Sequence, residues 1–281
     1  MERPPDISTT LFSRLFEIYH DQPRVTVVDR LATAPTREEF LTELLPAGLP
    51  VVYSTPTMKA VLWEEASTTL ATGAADAIVH VRQAAYASPG EYITARQKES
   101  VSLVEYLDEL GQSTSQNRPA RYAGNVALSF RFAEAFGATP PDCVDRSYFE
   151  PPAFWLGPKG SVTPLHKDST PNFAMQIVGR KRWILFPVRD IALLRMTRSS
   201  MDDEVDFATS SLDRNAILEF GTNSTPRIEG RPQFLEVTVE PGEILYLPAG
   251  WGHYVENLSI SLMINYWIGK QHFRELVSQY L

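Results

Sequence analysis

The sequence predicts a mainly β protein, an antiparallel sandwich or barrel with flanking helices. Two observations predict it. Between residues 153 and 267, short apolar runs recur between Gly- and Pro-containing turns, the pattern of closed antiparallel folds. Helical spacing is found in the first 110 residues and again in the last eleven.

In chain order, Thr36 with Glu39 three residues on forms a capping box, opening a helix that stops near Pro46-Ala47-Gly48. Residues 49–53 (LPVVY) read as a short buried strand, 59–72 as a helix, and 77–83 alternate as a strand. Residues 100–110 (SVSLVEYLDEL) read as an amphipathic helix with a capping Ser, closed by Gly111. The polar loop at 111–119 is the best internal break, too short for a flexible linker. Strands follow at 153–156, 172–178, 181–187, 235–239, 243–247 and 259–267, with Val178-Gly179-Arg180-Lys181 as a tight hairpin turn between two of them. Residues 195–234 are polar and irregular and read as a long excursion out of the sheet. Residues 271–281 space Phe273, Leu276, Val277, Tyr280 and Leu281 along one helical face. The expected organisation is a mixed α/β part at 1–120 packing on a β core at 121–270, then a C-terminal helix at 271–281, all one structural unit.

Composition bounds the function. The 281 residues are 43% hydrophobic and 11% aromatic, enough for a sizeable core. A net charge of −8 disfavours broad binding to nucleic acid or membranes. The single cysteine, Cys143, allows no intrachain disulfide. No apolar run approaches the roughly 18 residues of a membrane span, and no signal peptide is read at the start. A cytoplasmic location is the expectation.

The stretch SVTPLHKDSTPNF places His166 and Asp168 two apart, so on an extended strand both face one way. Of the five histidines, His20 and His272 lie on presumed helices without ligand-spaced partners, and His80 sits within an alternating strand. His253 follows PGEILYLPAGW, a turn, a strand and a second turn, at the start of the next strand. A barrel brings that point opposite Asp168. Two His and one carboxylate with open positions suit Fe(II) oxygen chemistry, and the same ligands plus water also suit zinc.

From about Thr36 to Lys270 the chain resembles the JmjC-type, cupin-like Fe(II)/2-oxoglutarate dioxygenases. The resemblance rests on GSVTPLHKDSTPNFAMQIVGRKRWILFP, PGEILYLPAGWGHYVENL and SLMINYW. It looks most like the hydroxylase branch containing the asparaginyl hydroxylase that inhibits hypoxia-inducible factor. It implies a double-stranded β-helix (jelly-roll) core, with Fe(II) held by His166, Asp168 and His253, and 2-oxoglutarate and O2 as cosubstrates. It implies that Lys181 binds the distal carboxylate of 2-oxoglutarate, aided by Thr163 and Tyr122. Asn172 and Asn265 would line the pocket, with Phe173 and Trp267 as apolar walls.

Where that relative carries an Arg-Gln pair for its peptide, Met201 and Asp202 stand here, before Val205-Asp206-Phe207. The resemblance therefore does not transfer its substrate. The relative dimerises through a C-terminal helical pair, and a homodimer is possible here although only one short helix follows Trp267. The leading expectation is a hydroxylase of a peptide or protein side chain. The alternatives are a tailoring hydroxylase of a small metabolite or amino acid, and a metal-binding cupin without catalysis. The acidic run 202–206, within the excursion, would favour a positively charged substrate.

Overall fold

The computed structural model describes residues 7–22, 24–58, 60–74, 77–83, 99–112, 121–127, 129–198 and 208–279. Eight strands form the core: β6 (Ala153–Gly157), β7 (Val162–Lys167), β8 (Asn172–Val178), β9 (Lys181–Phe186), β12 (Leu235–Val239), β13 (Glu243–Leu247), β14 (Gly252–Asn257) and β15 (Ser261–Trp267). β6, β8, β13 and β15 belong to a nine-stranded sheet, and β7, β9, β12 and β14 to a six-stranded one. From β6 to β9, and again from β12 to β15, each strand lies in the opposite sheet from the one before it. That alternating path is the double-stranded β-helix, and it agrees with the expected jelly-roll class.

This path corrects the turn expected at Gly179. β8 pairs with β13 and β15, whereas β9 pairs with β12 and β14. The turn is tight, but it carries the chain between sheets and joins no hairpin. Only glycine fits it: φ is +66°, and a Cβ would lie 1.8 Å from the Ile260 carbonyl oxygen.

The large sheet is extended at both edges. β1 (Asp29–Arg30) and β2 (Val51–Ser54) add beside β13; β5 (Arg121–Ala127), β3 (Ile78–Gln83) and β4 (Glu99–Ser102) add beside β6. β4 corrects the helix expected from Ser100. Glu99, Ser100, Val101 and Ser102 pair with β3, so sheet pairing overrides local helical spacing. The helix begins at Leu103 and ends at Gln112, with Gly111 inside it and exposed. Its cap is Ser102, whose Oγ accepts from Glu105 N at 3.1 Å. Most of the polar loop at 111–119 lies outside the described residues.

The excursion at 195–234 is also corrected. β10 (Met196–Arg198) and β11 (Ala208–Ser210) pair with each other, and β11 pairs with β7, setting Thr209 opposite His166. The segment therefore extends the small sheet. Helix Arg214–Leu218 follows, capped by Asp213. Met201 and the acidic run fall outside the described residues.

Helices cover the outer face of the large sheet. The Thr36 capping box forms as expected, with Thr36 N donating to Glu39 Oε2 at 2.7 Å and Glu39 N to Thr36 Oγ1 at 3.2 Å. The run from Arg37 to Ala47 ends at left-handed Gly48 and includes a π-helical segment, Phe40–Leu44. The next helix starts at Trp63, later than expected. The last, Lys270–Ser278, buries Phe273, Leu276 and Val277 in the chain's own core. Among the described residues no helix is long and apolar enough to cross a membrane.

Period-two alternation sorts the side chains into layers. On β8, Phe173, Met175 and Ile177 join the outer core, while Asn172 and Ala174 turn between the sheets. Phe173 packs against Phe40 and Tyr246, which corrects its expected place in the pocket wall. Trp155, Trp183, Val255, Met263 and Trp267 share the inter-sheet layer with Tyr122.

Candidate metal centre

β7 carries an irregularity that aims two residues inward. His166 pairs with His253 and Thr163 with Val255, so Pro164 and Leu165 together oppose the single residue Tyr254. This is a bulge, which lets Thr163 and His166, three apart, face the same side. Pro164, which has no N–H to donate, suits a position where the ladder is interrupted.

The bulge places His166 across from His253. Their ring centroids are 4.0 Å apart. Asp168 lies one residue beyond the end of β7, and its backbone oxygen accepts from Gly250 N at 2.8 Å. The turn leading to His253 therefore also holds Asp168. That turn is tied down in turn by Trp251, whose Nε1 donates to Gly48 O at 2.8 Å.

His166 Nε2 is 3.9 Å from Asp168 Oδ1, and His253 Nε2 is 3.8 Å from Asp168 Oδ2. One ligand atom from each residue can be chosen so that all three lie within 4.8 Å of one another. Each imidazole is oriented from behind: His166 Nδ1 is 2.7 Å from Pro164 O, and His253 Nδ1 is 3.1 Å from Trp251 O. A carbonyl only accepts, so Nδ1 carries the proton and the Nε2 lone pair points to the shared centre. Burial, and then the neighbouring His166, push the His253 pKa down to about 3, so it is neutral at neutral pH. These donors fit a divalent metal held on one face. The described residues contain this one cluster of three or more such groups.

The second pole of the interior is Lys181. It is wholly buried on β9, with Nζ donating to Asn257 Oδ1 at 2.7 Å and to Tyr122 Oη at 3.2 Å. Thr163 Oγ1 lies 3.5 Å from the same Tyr122 hydroxyl. Burial lowers the Lys181 pKa to about 7, and among the described residues no carboxylate sits in salt-bridge reach of it. Nearby, Asn265 Nδ2 donates to Asn172 Oδ1 at 2.8 Å. The Asn265 oxygen and the indole nitrogens of Trp155 and Trp183 are buried without partners, each on a residue of the inter-sheet layer. A buried amine with no carboxylate in reach suits an acidic ligand. A dicarboxylate meets that description.

The structure thus brings together all eight candidate residues, His166, Asp168, His253, Lys181, Thr163, Tyr122, Asn172 and Asn265, in one inter-sheet layer. It adds Asn257 and the two tryptophans, which sequence reasoning missed. Counting by twos from His253 along β14 gives Val255 and then Asn257, a signal present in the alternation alone.

A family model described as a cupin-like domain matches residues 37–271. An HSPB1-associated protein 1 homolog of Danio rerio is 36% identical over 116 residues, 41% of this chain and 24% of that protein. JmjC domain-containing protein F of Dictyostelium discoideum is 31% identical over 137 residues, 43% of this chain and 27% of that protein. Lysine-specific demethylase 8 of Xenopus tropicalis is 33% identical over 113 residues, 40% of this chain and 24% of that protein. The chain thus matches 24% to 27% of the length of these relatives.

Proposed function

The chain belongs to the JmjC-type, cupin-like family, and from that premise we propose that it hydroxylates an unactivated C–H bond with Fe(II), 2-oxoglutarate and O2. One observation carries the proposal: the His166–Asp168–His253 cluster, its two histidines buried, shares the inter-sheet layer with Lys181, a wholly buried amine that no carboxylate among the described residues reaches.

His166, Asp168 and His253 would hold the metal on one face and leave the other for cosubstrate and oxygen. Iron, when bound, would supply the oxygen chemistry that side chains lack. Lys181 would bind the distal carboxylate of 2-oxoglutarate, with Tyr122 and Thr163 as hydroxyl donors and Asn172 and Asn265 lining the near wall. The apolar residues between the sheets keep bulk water from the reacting carbon. The balance is one O2 and one 2-oxoglutarate consumed per C–H bond, giving a C–OH group, succinate and CO2. No separate acid or base is required of the chain.

The substrate reading is a peptide or protein side chain. The name of the lysine-specific demethylase relative supports a protein substrate and adds a second reading. If the carbon hydroxylated is an N-methyl group, the product collapses to amine and formaldehyde, so the two readings differ in the carbon attacked. The test is succinate release by the full chain, reconstituted with Fe(II), over pools of peptides, methyl-lysine peptides and small metabolites. Substrate-dependent succinate that Asp168→Ala abolishes is expected, and a formaldehyde assay separates the readings. Release confined to the metabolite pool would move the substrate to a small molecule. A chain that binds no Fe(II), or a variant as active as the wild type, would overturn the proposal.

A further inference from the structure

We propose that Asn257 is a positioning residue for the cosubstrate anchor, holding the Lys181 ammonium with a neutral acceptor so that its whole charge meets the incoming carboxylate. This rests on the reading of Lys181 above. Asn257 and Lys181 are register partners on β14 and β9, and Asn257 is 1% exposed. Its amide nitrogen donates to Gly157 O and Pro158 O, each at 3.2 Å. Those two acceptors fix the amide orientation, because a flipped amide would set N–H against ammonium and oxygen against carbonyl. Oδ1 therefore faces Lys181 Nζ at 2.7 Å.

The backbone of Asn257 is clasped as well, its oxygen accepting from Gly160 N at 2.8 Å and its N–H donating to Ser161 O at 2.9 Å. One residue thus ties the turn entering β7, which carries Thr163, to the lysine on β9. Buried lysines are ordinarily paired with a carboxylate. An acid here would satisfy Lys181 permanently and leave nothing for a ligand. The amide aims the ammonium without neutralising it.

The test compares 2-oxoglutarate with 2-oxovalerate, which has the same five carbons and lacks the distal carboxylate. Both are titrated calorimetrically into the Co(II)-loaded full chain. The wild type is expected to prefer 2-oxoglutarate. In Asn257→Asp that preference should shrink by at least about tenfold, with 2-oxovalerate and Co(II) affinities unchanged. General damage to the pocket would weaken both acids together. An acid at 257 faces the Gly157 and Pro158 carbonyls, so Asn257→Ala is measured beside it. Its preference should narrow several-fold in the same direction, and thermal unfolding reports the fold of each. A wild-type preference kept in both variants, or equal loss of both acids, overturns the inference alone. A wild type that binds the two acids alike removes the reading of Lys181 and this inference with it.

Discussion

The indole Nε1–H of Trp267 donates to Asp168 Oδ2 at 2.9 Å, reaching from the last strand of the large sheet to the residue just past β7 of the small one. With Oδ2 engaged, Asp168 would present Oδ1 to a metal as a single donor. Trp267→Phe keeps the ring and removes the N–H. Metal affinity should fall by about ten- to a hundredfold, the usual effect of losing such a support, with little change in thermal stability. Co(II) titration followed by its visible absorption checks this; wild-type affinity and an unchanged spectrum would show that the bond positions nothing.

Lys181→Met keeps the length of the side chain and removes its charge. A bond from a charged donor to a buried carboxylate contributes about 1.5–3 kcal/mol. Affinity for 2-oxoglutarate should drop about ten- to a hundredfold, while Co(II) still binds. Unchanged affinity would take Lys181 out of the pocket.

The same lysine sets a pH dependence. Its folded pKa is about 7, against 10.5 for the unperturbed group. Between those values the unfolded chain binds more protons, so the ligand-free chain gains stability as pH rises through that window and loses it as pH falls toward 7. Cosubstrate affinity runs the other way, because a carboxylate needs the ammonium form, and it weakens above pH 7. Thermal unfolding at pH 7 and pH 9, and calorimetry at both, should show the two opposite trends. Lys181→Met should flatten both.

Gly179→Ala should destabilise the fold by more than the roughly 1–2 kcal/mol of left-handed strain alone, because the added carbon meets the Ile260 carbonyl. Denaturant unfolding measures it. A loss under about 0.5 kcal/mol would mean the crossing between sheets tolerates a side chain.

Much of the core was legible because alternation and turn residues are local signals. β8, β12 and β13 begin and end where their apolar runs do. The partners of those strands were not legible. Gly179 announces a turn, but whether it joins strands of one sheet or two depends on distant pairing. Ser100 shows the same limit, since a strand next to β3 outweighed helical spacing. In the candidate site, spacing paired His166 with Asp168 and the turn before His253 offered a third ligand, but it was the surrounding motifs, by resemblance, that singled out the three. Trp267 and Phe173, by contrast, looked like equivalent apolar positions. The sheet separates them: Trp267 reaches the carboxylate, while Phe173 faces the outer core.

The inter-sheet layer has a consequence for the mechanics of the molecule. His166, His253, Lys181 and Thr163 stand on the small sheet, while Tyr122, Asn172, Asn265 and Trp267 stand on the large one. Ligands bound between them would act as a rivet through both leaves of a sandwich. Each would add stability according to its concentration over its dissociation constant, and prying the leaves apart would require expelling it. Amide protection on β8 and β9 would then rise together on loading, although the two strands share no ladder. A chain starved of metal would be the one that proteases and chaperones find open.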